Sequence, residues 1–398
     1  MRNLSNLEND RREAWAALAS WLTGGRPAAR NVTAFDWQAV ADLAMELRLG
    51  PLLYRRWREA EVALPAAVEE RLERADLASS FLSLVARQTL AEAIQAFDDA
   101  GIRAVVLKGF AISEAVYPGA AARPMVDLDL LVRDADAAGA AACLERLGYR
   151  DEPDHNPAFD RRFGGEIRFR RADENRLAVE LHWDLLNSEW PRRAMRIPAE
   201  AWWQRAVPLA IGPVRTWALA PDDTLLYLAI HLAIHHTYDG PLMFLDLDRL
   251  ICNGPALDWD AIVRDATACR VRHCLYFALE FTRRLYGTPI PAPVLSALQP
   301  SAAICRAVEG LADPLRASYG LPRPGPEARR VLLFLLVDRP QDRLREVVRV
   351  FFPGRDWIVA EYGARGPARL ALCGAWHALR VAGWALAAAG QVVRHRLG

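Results

Sequence analysis

Lysine is nearly absent from this chain. Its 398 residues include 50 basic side chains, and all but Lys108 are arginine. Against them stand 49 acidic residues, a net charge of +1, so the basic excess of a protein that coats nucleic acid is missing. Cysteine is sparse, six in all, and no two form a Cys-x-x-Cys pair. That excludes the common zinc spacings and a disulfide framework and predicts free thiols in a reducing compartment. A long apolar run is also missing. The uncharged stretch Val381–Val393 is too short to span a bilayer, and the first ten residues lack a signal-peptide core. The expected location is the cytoplasm.

What is present is a globular composition, 52% hydrophobic, which suffices for a sizeable core over two or three domains. The single lysine is a candidate for special use. An ammonium is a compact charge on a slim stem, whereas a guanidinium is a wide planar fork.

Apolar spacing predicts helices through residues 1–100, at Leu7–Leu22, Asp36–Glu59 and Pro65–Ala100. At Gly101 the pattern changes. Ile102–Leu107 reads as a strand running into Lys108-Gly109, Phe110–Tyr117 as a helix, then a turn at Pro118-Gly119. Met125–Val132 reads as a strand, Asp134–Leu147 as a helix, and Glu166–Arg170 and Leu177–Trp183 as two strands joined by a turn at Ala172–Asn175. From Trp190 onward the expectation is helix again. The division is residues 1–100 helical, 101–190 an α/β core, and 191–398 helical.

The core holds carboxylates in a telling arrangement. Asp127 and Asp129 alternate on one strand, so they share a face about 7 Å apart. Two carboxylates so placed repel each other unless cations sit between them. Glu180, on a later strand, completes an oxygen-rich cage if the two strands pair. Such a cage suits two Mg²⁺ ions and substrate phosphates. A glycine at a strand-to-helix turn, Gly109, lets backbone N–H groups approach phosphate, and Lys108 adds charge.

The segments Val105–Ile112, Ala122–Val132 and Leu147–Tyr149 together resemble the uncharacterised nucleotidyltransferase family of the DNA polymerase β superfamily. Leu47–Tyr54, Glu180–Trp183, the His231/His235 pair and Leu245–Leu247 resemble its further motifs, so the resemblance covers residues 35–255. It implies an α+β fold: a small mixed-sheet, polymerase β-like core flanked by N- and C-terminal helical regions. It also implies Mg²⁺-dependent transfer of a nucleoside monophosphate, AMP from ATP, to an unidentified small-molecule or peptide acceptor with release of pyrophosphate. By position, Asp127, Asp129 and Glu180 match the catalytic and metal carboxylates. Lys108, Gly109, Arg123, His182 and Asp246 are the expected nucleotide contacts. The alternatives are a nucleotide- or partner-binding module without turnover, or a transferase acting on a peptide or protein.

Each assignment has a plainer counterpart. Lys108 can be a structural ion pair to the carboxylates, Glu180 a cross-strand partner for an arginine in Arg168–Arg171, and Arg123 and Asp246 salt bridges that pin a loop and a helix. Ser113 is read as an ordinary helical serine. His231 and His235, at i and i+4, suit either a hydrogen-bonded core or a cleft wall. The C-terminal helix, with Trp376, Trp384 and Arg394-His395-Arg396, is expected to pack on the domain, with peripheral membrane contact as the alternative.

Overall fold

A computed structural model describes residues 4–24, 36–117, 123–152, 163–172, 176–187, 189–312 and 325–397. The turn expected at Pro118-Gly119 and residues 173–175 of the Ala172–Asn175 turn lie outside them.

The centre is one seven-stranded mixed sheet. Its strands are β1 (Val105–Val106), β2 (Asp127–Leu131), β3 (Arg150–Glu152), β4 (Glu166–Arg170), β5 (Ala178–His182), β6 (Val207–Ile211) and β7 (Val214–Ala218), in the order β3-β4-β5-β2-β1-β7-β6. β2 runs parallel to β5 and β1 parallel to β7, and the remaining pairs are antiparallel. The helical expectation beyond Trp190 is overturned at β6 and β7, which form a hairpin and carry the sheet past residue 190. β6 is largely exposed and contains Pro208, which an edge strand tolerates, so it shows no buried alternation for a sequence pattern to reveal. The turn signal was Gly212, whose φ of 58° favours glycine.

Alternation along β2 separates two environments. Leu128 and Leu130 enter a core with Val179 and Leu181 of β5, Ile167 and Phe169 of β4, and the apolar faces of helices Ala66–Asp99 and Ala137–Arg146. Phe110, the bulky residue after Gly109, is buried in this same core. Asp127, Asp129 and Leu131 point to the opposite face. There Leu131, Val105 and Leu107 meet a second core, built from the N-terminal helices and from helices Pro221–Ile234, Pro241–Asn253 and Arg272–Tyr286. Proline opens the helices at 221, 241, 326 and 340, where its missing N–H has no intrahelical acceptor to lose. Helices Pro340–Phe351, Arg355–Tyr362 and Pro367–Leu397 follow at the C-terminal end. No described helix is long and apolar enough to cross a membrane.

Candidate functional site

Strand register assembles the site. Asp129 lies opposite Glu180 in the parallel β2–β5 pair, and Leu131 lies opposite His182. In the antiparallel β4–β5 pair, Glu166 faces His182 and Arg168 faces Glu180. With a side-chain period of two, Asp127, Asp129, Glu180, His182, Glu166 and Arg168 all fall on the face away from the Leu128–Leu130 core.

Asp129, nearly fully buried, is the hub. Lys108 Nζ lies 2.7 Å from Asp129 Oδ1 and 3.5 Å from Glu180 Oε2. His182 Nε2 lies 3.0 Å from the same Asp129 oxygen, and its Nδ1 lies 2.9 Å from Glu166 Oε2. On the outer side, Arg168 Nη1 is 3.7 Å from Glu180 Oε1.

The charges follow from these distances. Burial raises the Asp129 carboxyl, but Lys108 and His182 outweigh it and hold it well below the usual carboxylate range. Burial and Lys108 work against a charged His182, yet Glu166 and Asp129 prevail and push it up to about 9, so it is an imidazolium donating to both carboxylates. Glu166 is held down at about 2, with His182 overcoming burial. Burial disfavours the Lys108 ammonium, but Asp129, Glu166 and Glu180 keep it charged. Glu180 goes the other way. Burial and Asp129 push it up to about 7. Asp127 is also raised, by burial and by Asp129.

The cluster therefore holds four carboxylates against two internal cations, Lys108 and His182, and Glu180 registers the excess. That excess negative charge fits a divalent cation. Among the described residues, Asp129, Glu180 and His182 form the one group whose ligand atoms all lie within 4.8 Å of one another. His182 as an imidazolium has no lone pair to offer. The donors that suit a hard cation such as Mg²⁺ are the oxygens of Asp129 and Glu180, with Asp127 on the same strand face.

Lys108 is placed by an unusual backbone. It starts helix Lys108–Val116 with φ of 46°, in the left-handed region, where a side chain costs about 1–2 kcal/mol. The Leu107 N–H donates to Asp129 O at 3.0 Å just before it, which ties this turn to β2.

Arg123 and Asp246 are brought together as a buried ion pair. Arg123 Nη2 and Nε donate to Asp246 at 2.6 and 2.8 Å, and the Tyr117 hydroxyl donates to the same carboxylate at 2.8 Å. This buried triad packs against Gly109, where an added Cβ would lie 2.5 Å from Arg123 Nη1. The glycine makes room for a guanidinium of the chain itself. Ser113 is fully buried.

His231 and His235 do not form a metal group. His231 Nε2 lies 3.0 Å from His236 Nε2, and the His231 and His235 rings are 4.6 Å apart. Burial and Lys108 keep His231 and His236 neutral; burial, opposed by Glu166, lowers His235 to about 3. Tyr227, one helical turn earlier, is buried near Lys108.

Sequence reasoning missed Glu166 and Tyr227, whereas Arg168 lies across from Glu180 as the plainer reading of that glutamate expected. Glu166 was signalled by the β4–β5 hairpin, since a fixed register places it across from His182.

Comparison with known proteins supplies the last finding. The sequence model of a family described as an uncharacterised nucleotidyltransferase matches residues 33–287, well over half of the chain. No curated protein matches.

Proposed function

The chain belongs to this family of nucleotidyltransferases, and from that premise we propose that it transfers a nucleoside monophosphate, AMP from ATP, to an acceptor nucleophile. The observation that carries the reading is the Asp129–Glu180 pair, two register partners at the centre of a cluster whose four carboxylates outnumber the two cations, Lys108 and His182.

In this reading Asp127, Asp129 and Glu180 hold Mg²⁺, which when bound supplies Lewis-acid stabilisation of the α-phosphoryl group and of the leaving pyrophosphate. The acceptor oxygen attacks the α-phosphorus, an O–P bond forms, and the bond to the β-phosphate oxygen breaks, with the electron pair leaving on pyrophosphate. A Glu180 oxygen not engaged by the ion would take the acceptor's proton. Lys108 and the start of helix Lys108–Val116 present positive charge to the triphosphate. His182 acts on the site through its neighbours. It fixes Asp129 from one side and Glu166 from the other, which makes it a positioning residue.

The test is thermal stability of the full chain with each of the four NTPs, with and without Mg²⁺, beside Asp127→Asn. A ligand at a hundredfold excess over its Kd raises stability by about 2.7 kcal/mol. The expected result is a Mg²⁺-dependent rise with ATP that the variant loses, together with loss of pyrophosphate release. The variant's own melting temperature should stay level or rise, because a repelled carboxylate is gone. A rise of equal size in Asp127→Asn, or none with any NTP, overturns the proposal.

A further inference from the structure

A cleft of about 1250 Å³ opens beside Glu180. Its near wall is the exposed side of β4 and β5, with Glu166, Arg168 and Glu180. Its far wall comes from the C-terminal helices, with Arg349, Phe352, Trp357, Arg380 and Trp384. Two facts decide what it holds. Lys108, Gly109 and Arg123, on the triphosphate side of the cluster, are not among its lining residues, whereas Glu180, at the edge of the carboxylate cluster, is. The far wall also lies entirely outside residues 33–287, the part shared with the family.

We infer that this cleft is the acceptor site, and that its C-terminal wall selects a small acceptor carrying a flat aromatic ring and an anionic group. The inference rests on the transfer reading above. The ring is called for by the indoles of Trp357 and Trp384, which line the open volume with the surface left by their own partners, Arg330 over Trp384 at 3.6 Å and His377 beside Trp357 at 5.0 Å. The anion is called for by Arg380. Its guanidinium stacks over Trp384 at 4.8 Å and Tyr362 at 5.4 Å, yet its carboxylate contact, to Glu361, is a loose 3.6 Å. Its Nε is buried without a hydrogen bond. A guanidinium lying near two aromatic rings with one long carboxylate contact is arranged to meet a further anion. Arg193 and Arg349, by contrast, are engaged by Glu346 at 3.2 and 3.1 Å and serve as structure. At about 1250 Å³ the cleft exceeds the common small-molecule pocket of roughly 300–1,000 Å³, which leaves room for a small molecule and water between the tryptophans and Glu180.

The test uses 1-naphthyl phosphate as probe, titrated calorimetrically into the full chain without nucleotide. The expected result is one site per chain. Trp384→Ala and Arg380→Gln should each weaken it about tenfold, the order expected for losing one stacking or one charged contact. Trp384→Phe should retain binding, and all three variants should keep the melting temperature. The inference is overturned by no binding to the unaltered chain, by equal binding to the variants, by equal affinity for cyclohexyl phosphate, or by displacement with MgATP, which would put the probe in the donor site. Binding of MgATP to the unaltered chain is measured separately. Its failure sinks the transfer reading and leaves the cleft result standing as a binding site.

Discussion

Lys108 Nζ and Asp129 Oδ1 lie 2.7 Å apart, and both side chains are almost wholly withdrawn from water. The only lysine of the chain therefore sits where a wide guanidinium would have to displace a carboxylate. Lys108→Ala should destabilise the metal-free protein by about 3 kcal/mol or more, because Asp129 and Glu180 lose a shared cation. Lys108→Gly should be less damaging by about 1 kcal/mol, since the left-handed backbone suits glycine. Added MgCl₂ should restore much of the loss in both, as read by melting temperature. Equal stability of the alanine variant and the parent in EDTA would contradict this.

The pH dependence of the metal-free protein should bear the mark of His182. Its ordinary value is 6.5 and its value in the fold is about 9. The folded state holds the proton more tightly, so this stabilisation is complete below pH 6.5 and is lost as pH rises through 9. The upper limit is roughly 3 kcal/mol. His182→Asn should flatten the fall in melting temperature between pH 6.5 and 9. A fall of unchanged size in the variant would show that another group is responsible.

Glu180 has the opposite signature. Its carboxyl is raised to about 7, so ionising it costs the fold stability as pH rises from the ordinary carboxylate range through 7. Glu180→Gln should abolish transfer and yet raise metal-free stability at pH 8, by order 1 kcal/mol, with no gain at pH 5. Denaturant melts at the two pH values measure this directly.

Gly109 and Arg123 should behave as one unit. Gly109→Ala places a methyl group against a guanidinium that Asp246 holds at 2.6 and 2.8 Å, so it cannot swing aside freely. The expected cost is about 1–3 kcal/mol. In an Arg123→Ala, Asp246→Asn background the same glycine substitution should cost almost nothing. Additive costs would mean that Gly109 is needed for another reason.

Much of this site was readable before any coordinates. Asp127, Asp129 and Glu180 were legible because a period-two strand forces residues i and i+2 to one face, and because like charges on a buried strand demand compensation. Glu166 was not, since its place across from His182 depends on the exact register of the hairpin, and Arg168 was legible only as one of the arginines in Arg168–Arg171 that could face Glu180. Arg123 and Asp246 were legible as important but not as each other's partners. No local rule brings together a loop residue and a helix residue so far apart in sequence. The β6–β7 hairpin escaped notice because an exposed edge strand has no buried face to impose alternation. The cleft was invisible for a related reason. Trp384 reads only as part of a C-terminal helix packed on the domain until the fold sets it, with Trp357 and Arg380, across the cleft from Glu180.

β1 has only two residues, and it is held on one side by Leu130 and Leu131 and on the other by Trp217 and Ala218. The turn that carries Lys108 thus hangs from a strand whose second neighbour is made much later on the ribosome. Until Trp217 and Ala218 have emerged, the strand before Lys108 lacks one of its two flanking ladders, and the nascent sheet presents unpaired N–H and C=O groups at that seam. The seam beside the Lys108 turn is therefore completed by a strand from a distant part of the sequence, whereas the β2–β5–β4 strands that carry the carboxylates pair without it.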